Sequence, residues 1–179
     1  DALLTYSFQL IAESPHASAD TKLKLIFELA KAGGPEGMVG GQVADMTGEN
    51  KQLSLDELEY IHIHKTGKLM AYSVKAGAIM GGANDLQVET FALFAHHLGL
   101  AFQIRDDILD LEGSEEKIGK KIGSDESNHK NTYPSLLSMN GAKQALDKQI
   151  GLAKAKLAET GLNTKLLEEI TDLIANRDH

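Results

Sequence analysis

The stretch NDLQVETFALFAHHLGLAFQIRDDILDL, residues 84–111, reads as one long helix that ends in three aspartates. Asn84-Asp85-Leu86-Gln87 caps its start, and no proline interrupts it. From Thr90 to Ile104 it carries no Asp, Glu, Lys or Arg. That run is shorter than the roughly 20 apolar residues of a membrane span and contains His96 and His97, so no transmembrane segment is expected. Small and apolar residues from Gly99 to Ile104 lead directly into Arg105 and Asp106, so the carboxylates terminate a buried segment.

Working outward, the same helical grammar repeats. Gly81-Gly82 stops a preceding helix that starts at the capping box Ser54-Leu55-Asp56-Glu57 and runs to about Met80. Further upstream, a helix over Asp1–Glu13 buries Leu3, Leu4, Phe8 and Ile11 and ends at Pro15. Another over Ser18–Ala32 stops at Gly33-Gly34-Pro35, and a short one covers Glu36–Thr47. Downstream, Glu112–Asn131 is rich in Gly, Ser, Lys and Glu and reads as a mobile loop. Helices over Pro134–Thr160, with a break near Asn140-Gly141, and over Asn163–Arg177 follow. Prolines occur only at Pro15, Pro35 and Pro134, and no hairpin signal joins two strands. The expectation is one all-α domain over residues 1–179, a helical bundle.

Composition narrows the function. A chain of 179 residues with 42% hydrophobic and 25% charged residues folds rather than staying disordered. A net charge of −8 offers no basic field for nucleic acid or an anionic membrane. With no cysteine, a disulfide framework, a thiolate zinc site and a cysteine nucleophile are excluded. No signal peptide is visible, and a cytoplasmic location is expected.

Four constellations could carry chemistry. In Asp106-Asp107-Ile108-Leu109-Asp110, Asp106 and Asp110 sit at i and i+4 on one helix face, with Asp107 flanking it. Like charges so close need something positive opposite, and Mg²⁺ held by one or two carboxylates plus substrate phosphates fits; a solvated acidic face is the plain alternative. In His62-Ile63-His64-Lys65-Thr66-Gly67, the ammonium suits phosphate and the hydroxyl can bond an oxyanion or its own helix. The two histidines face different ways and read as ordinary surface or core residues, and on its own Lys65 reads as a surface lysine. Gly37-Met38-Val39-Gly40-Gly41-Gln42-Val43-Ala44-Asp45 suggests tight backbone packing; it matches neither a P-loop nor a dinucleotide fingerprint. Lys117, Lys120, Lys121 and Lys130, with Asp125 among them, either close over an anionic ligand or form a solvated loop.

Taken in order, these segments resemble the trans-isoprenyl diphosphate synthases, especially the bacterial short-chain, farnesyl-type enzymes. The likeness rests on G-M-V-G-G-Q-x-x-D at Gly37–Asp45, H-K-T-G at His64–Gly67 and G-L-A-F-Q-x-R-D-D-I-L-D at Gly99–Asp110. G-K-K-I-G-S-D at Gly119–Asp125 and K-N-T-Y-P at Lys130–Pro134 complete it. The resemblance implies an isoprenoid-synthase-type helical bundle around a central cavity, where two aspartate-rich motifs hold Mg²⁺ on an allylic diphosphate. Asp106 would be the most direct metal ligand, with Asp107 and Asp110 acting partly through metal-bound water. Lys65, Lys120, Lys121 and Lys130 would hold the diphosphate. Thr66 and Gln103 would face the developing allylic cation, and Gln42 and Asp45 would line the cavity.

The implied reaction condenses isopentenyl diphosphate with dimethylallyl or geranyl diphosphate to give farnesyl diphosphate, in a homodimer with no nucleic-acid partner. The family's first aspartate-rich motif and isopentenyl diphosphate site lie upstream of the segment matched by Asp1-Ala2-Leu3-Leu4, so the chain is expected to be a C-terminal portion lacking the N-terminal helices, and incompletely active alone. The alternatives are a geranylgeranyl or polyprenyl synthase, a non-catalytic partner subunit of a heteromeric synthase, and a plain helical interaction domain.

Overall fold

The computed structural model describes residues 2–112 and 131–178. Their elements are α1 (Ala2–Glu13), α2 (Ala19–Gly33), α3 (Met38–Gly48), α4 (Leu55–His62), a π-helical turn (Ile63–Gly67), α5 (Lys68–Met80), α6 (Asp85–Glu112), α7 (Tyr133–Glu159) and α8 (Lys165–Asn176). No strand occurs among the described residues, in agreement with the all-α expectation. Of the expected loop, residues 113–130 lie outside the described residues, and Lys117, Lys120, Lys121, Asp125 and Lys130 with them.

The helix starts follow from side chains that satisfy orphan N–H groups. Ser18 accepts from the Thr21 amide (3.1 Å). At α4 the Ser54 amide donates to Glu57 Oε2 (2.8 Å) and the Glu57 amide to Ser54 Oγ (3.3 Å), a reciprocal box. These bonds from Ser54 hold the Glu57 carboxyl below its ordinary pKa. Asn84 and Gln87 exchange the same pair of bonds at 3.0 and 2.9 Å before α6. Thr132 and Ser135 do so before α7, where Pro134 sits in the first turn and needs no amide partner.

Helix α6 is the axis of the bundle. Phe94, Ala95, Ala101, Ile104 and Ile108 along it are fully buried. Near its start, Phe91, Phe94, Ala95 and Leu98 meet Ala153 and Leu157 from the far end of α7. Near its finish, Leu100, Ala101, Ile104 and Ile108 meet Leu58 of α4 and Tyr133, Ala142 and Leu146 of α7. The two long helices are therefore antiparallel, and α5 packs on another side of α6. This arrangement brings the acidic end of α6 beside α4 and the start of α7. Each fully buried aliphatic or phenyl side chain contributes about 1.5–3 kcal/mol, enough to fix that end in register.

Three expectations are corrected. The helix expected to run unbroken from Ser54 to Met80 is divided by the π turn, in which the Lys68 amide donates to the Ile63 carbonyl. Neighbouring backbone crowds that turn: a Cβ on Gly41 of α3 would lie 2.2 Å from the Lys65 nitrogen. On the other side, a Cβ on Gly99 of α6 would lie 3.2 Å from Gly67 Cα. The break in α7 falls at Ser138 (φ 67°, ψ 163°), with Asn140 and Gly141 inside the helix that follows. Leu3 is 83% exposed, whereas Leu4, Phe8 and Ile11 are half-buried.

Candidate active site

A cleft of ≈ 230 Å³ opens where the end of α6 faces α3, α4 and the π turn. Its polar lining includes Asp45, Lys65, Gln103, Asp106 and Asp107. Lys65 leaves the π turn and places Nζ 2.6 Å from Asp45 Oδ2 of α3, both side chains partly exposed. The next residue, Thr66, donates to Gln103 Oε1 of α6 (3.2 Å). Gln103 in turn donates from Nε2 to Asp106 Oδ2 (3.3 Å), one turn along the same helix. The other Asp106 oxygen, Oδ1, receives the Arg177 guanidinium. Two adjacent residues of one turn thus reach two walls of the cleft, one as a cation and one through a relay of hydrogen bonds.

The three aspartates are placed differently. The Asp106 side chain is 45% exposed and borders the cleft. Asp107 also borders it but is buried: its Oδ2 accepts the Tyr133 backbone amide (2.9 Å) and lies 3.3 Å from His62 Nε2. Asp110 is 2% exposed, inside the bundle, and is not among the residues lining the cleft. Gln42 is exposed on α3, one turn before Asp45. Residues 120, 121 and 130 fall outside the described residues.

Among the described residues no group of three or more His, Cys, Asp or Glu side chains forms a ready metal cage. What the cleft does offer is hard carboxylate oxygen on Asp106 and Asp107 beside a lysine. That donor set fits Mg²⁺, which keeps its waters and is held by one or two carboxylates together with phosphate oxygens.

Three participants escape a reading of the sequence. Arg177, 71 residues from Asp106, also lies over the Phe102 ring at 4.1 Å and donates to the Phe102 carbonyl (3.1 Å). No local motif announces it; the expected need for positive charge opposite the aspartates was its only signal. His62, whose neighbours in sequence name no partner for it, meets Asp107. Tyr133 is inside the K-N-T-Y-P segment, yet its backbone amide rather than its ring reaches the acid. His64 and His97 are ordinary by contrast, the first bonded to the Tyr60 carbonyl (2.7 Å) and the second to Gln149 (2.8 Å).

The backbone matches solved structures closely. Over 98% of this chain and 57% of the other, it resembles geranyltransferase from Helicobacter pylori complexed with magnesium and isoprenyl diphosphate, with a TM-score of 0.83 and 32% identity. The architecture is therefore the all-α bundle of the isoprenyl synthases. The chain belongs to the polyprenyl synthetase family, whose profile matches residues 1–170. It is 58% identical, over its whole length, to the farnesyl diphosphate synthase of Geobacillus stearothermophilus and 56% identical to that of Bacillus subtilis. The chain spans 61% of the length of these curated relatives. No described helix is long and apolar enough to cross a membrane.

Proposed function

We propose that the protein is a prenyltransferase that condenses isopentenyl diphosphate with dimethylallyl or geranyl diphosphate to give farnesyl diphosphate. The observation that carries this is the pairing, in one cleft, of the Lys65–Asp45 ion pair with Gln103 and Asp106, to which Thr66 is joined by its hydrogen bond to Gln103. The high identity to farnesyl diphosphate synthases supports the substrate class. By extension from the family, the working form is a cytoplasmic homodimer acting with Mg²⁺.

In this mechanism Asp106 would hold Mg²⁺ on the allylic diphosphate most directly, with Asp107 and the buried Asp110 behind it acting through metal-bound water. Bound there, Mg²⁺ supplies charge neutralisation for the departing diphosphate. Lys65 binds a diphosphate oxygen, with Lys120, Lys121 and Lys130 as further anion ligands. As the C–O bond lengthens, Lys65 meets the negative charge that builds on the leaving group. Thr66 Oγ1 and Gln103 Oε1 turn their oxygen dipoles towards the allylic carbon, which becomes cationic. Asp45 lines the cleft and holds the Lys65 ammonium until diphosphate takes its place, with Gln42 one turn earlier on α3 as a further cavity residue. The alkene of isopentenyl diphosphate attacks the cation, a new C–C bond forms, and a proton leaves to the released diphosphate.

Calorimetric titration of an allylic diphosphate analogue, with and without Mg²⁺, tests this directly beside Asp106→Asn. Binding that needs Mg²⁺ and disappears in the variant is expected. Equal binding by both proteins would remove Asp106 from the site. A product assay with the chain extended to the length of its relatives then reports chain length, and any product other than farnesyl diphosphate would correct the specificity.

A further inference from the structure

Asp107 cannot work as a solvated carboxylate. It is 7% exposed, and its placement is set by what surrounds it. Buried charge is tolerated only when it is hydrogen-bonded, and a carboxylate can only accept. Its Oδ2 takes the Tyr133 amide (2.9 Å) and faces His62 Nε2 (3.3 Å), so that nitrogen carries the proton. His62 is itself confined. Its ring is nearly parallel to that of Tyr133 (8°, centroids 5.9 Å apart), and its side chain is 11% exposed. Tyr133 is held at its far end too, where its hydroxyl donates to Glu59 Oε1 (2.7 Å). Burial and the Glu59 bond raise the phenol's pKa, so the hydroxyl remains a donor. Glu59 and His62 lie one turn apart on α4. One helix thus grips both the tyrosine and the aspartate, immediately before the turn that carries Lys65.

We infer that His62 is a positioning residue that aims the Asp107 carboxylate and, with Glu59 and Tyr133, locks α4 to the acidic end of α6. The inference rests on the proposed diphosphate-handling role of that end. Outer partners of a metal-binding group characteristically change metal affinity by about 10–100-fold when removed. His62 lines the cleft with Asp107, Lys65 and Asp106, and it takes that outer role by bonding the Asp107 carboxylate.

Two variants separate donation from packing. His62→Gln keeps an N–H donor and loses the ring; His62→Phe keeps the ring on Tyr133 and loses the donor. The first readout needs no ligand: the proton shift of the Tyr133 amide, which reports where the Asp107 carboxylate sits. It is expected to move upfield in His62→Phe and to stay near the parent value in His62→Gln. The second readout is Mg²⁺-dependent binding of inorganic diphosphate. It is expected to weaken about tenfold or more in His62→Phe and to recover most of that in His62→Gln. An unmoved Tyr133 amide in His62→Phe overturns the positioning role, whatever the binding result. An amide that moves as expected in a parent protein that binds no diphosphate keeps the positioning role and overturns the proposed function instead. Diphosphate binding that is equal in both variants and the parent overturns the claim that the lock serves the site. If His62→Phe fails to fold, Tyr133→Phe with folded His62→Gln carries the test. Retention of the parent affinity in the first and a loss in the second would overturn the role.

Discussion

Arg177 and Asp106 form an ion pair across 71 residues of sequence, and the pair closes over α6 rather than beside it. The guanidinium also covers the Phe102 ring, while the Arg177 carbonyl accepts from Arg105 Nε (2.9 Å). The tail after α8 is thereby tied to the helix that carries the acids. The Asp106 side chain is 45% exposed, which screens the Coulomb part to about 1 kcal/mol or less. The ring contact adds about 0.5–1 kcal/mol. Arg177 Nε is buried with no hydrogen-bond partner among the described residues, which trims the gain. Arg177→Gln is expected to lower stability by about 1 kcal/mol in urea unfolding, less at high salt. A loss that does not shrink with salt would mean the ring contact dominates.

Lys65 pairs with Asp45 of α3 at 2.6 Å. A charge-assisted hydrogen bond of about 1.5–3 kcal/mol to diphosphate would be lost in Lys65→Ala, so affinity is expected to fall about tenfold or more. Asp45→Asn removes the competing carboxylate and is expected to leave diphosphate affinity equal or tighter. Calorimetry on both variants checks the pair; weaker binding in Asp45→Asn would show that alignment of the ammonium outweighs its release.

Two glycines on helices should respond in opposite directions to alanine. At Gly41 the added carbon would stand 2.2 Å from the Lys65 backbone nitrogen, so α3 must move away from the π turn. Gly41→Ala is expected to cost about 1–3 kcal/mol or more, as overpacking does. At Gly151 nothing lies within 4 Å, and Gly151→Ala is expected to stabilise by about 0.5–1 kcal/mol through helix propensity. Thermal melts of the two variants give the contrast, and a neutral Gly41→Ala would mean that α3 and the turn separate without cost.

Ser138 adopts a conformation that only glycine visits freely (φ 67°, ψ 163°). Such a residue stores about 1–3 kcal/mol. Ser138→Gly relieves it, partly offset by the freer unfolded chain and by the weak bond from the Gly141 amide to Ser138 Oγ (3.4 Å). A net gain of about 1 kcal/mol is expected in urea unfolding. A loss would place the value of that serine in its cap.

Tyr133 gives stability an alkaline limb. Burial, then the Glu59 hydrogen bond, hold its phenol above the ordinary value. The folded chain keeps a proton that the unfolded chain releases above about pH 10. The contribution is therefore whole below that pH and declines as pH rises past it. Tyr133→Phe is expected to be less stable at neutral pH and to lose less between pH 8 and 11 than the parent. Parallel curves for the two proteins would contradict the buried donor.

How much of this the sequence discloses depends on the range of the interaction. Caps are local, so Ser54 with Glu57, Asn84 with Gln87 and the Gly33-Gly34-Pro35 stop were legible and set the helix limits within a few residues. The acidic end of α6 and the Lys65-Thr66 pair stood out because charge near an apolar run is unusual. Long-range partners left no local trace. Nothing near position 177 points to Asp106, and nothing near position 62 points to Asp107. The π turn was missed because Ile63–Gly67 has ordinary helical composition; the crowding that accompanies it comes from Gly41 and Gly99. Leu3 was misplaced for a similar reason, since periodicity names a face of α1 without saying how far neighbouring helices cover it.

The π turn between α4 and α5 amounts to one surplus residue in an otherwise continuous rod. Removing a single residue from Ile63–Gly67 would let the rod close into plain α register with its two ends still in phase, since the wide turn only absorbs the extra residue. Drawing all five residues into α geometry without a deletion would instead rotate everything before the turn by about 100° relative to α5, at 3.6 residues per turn. Glu59 and His62 would then leave Tyr133 and Asp107, although no side chain of theirs had been altered. The widened turn therefore acts as slack that keeps the two ends of the rod aligned while Lys65 and Thr66 are re-aimed between them.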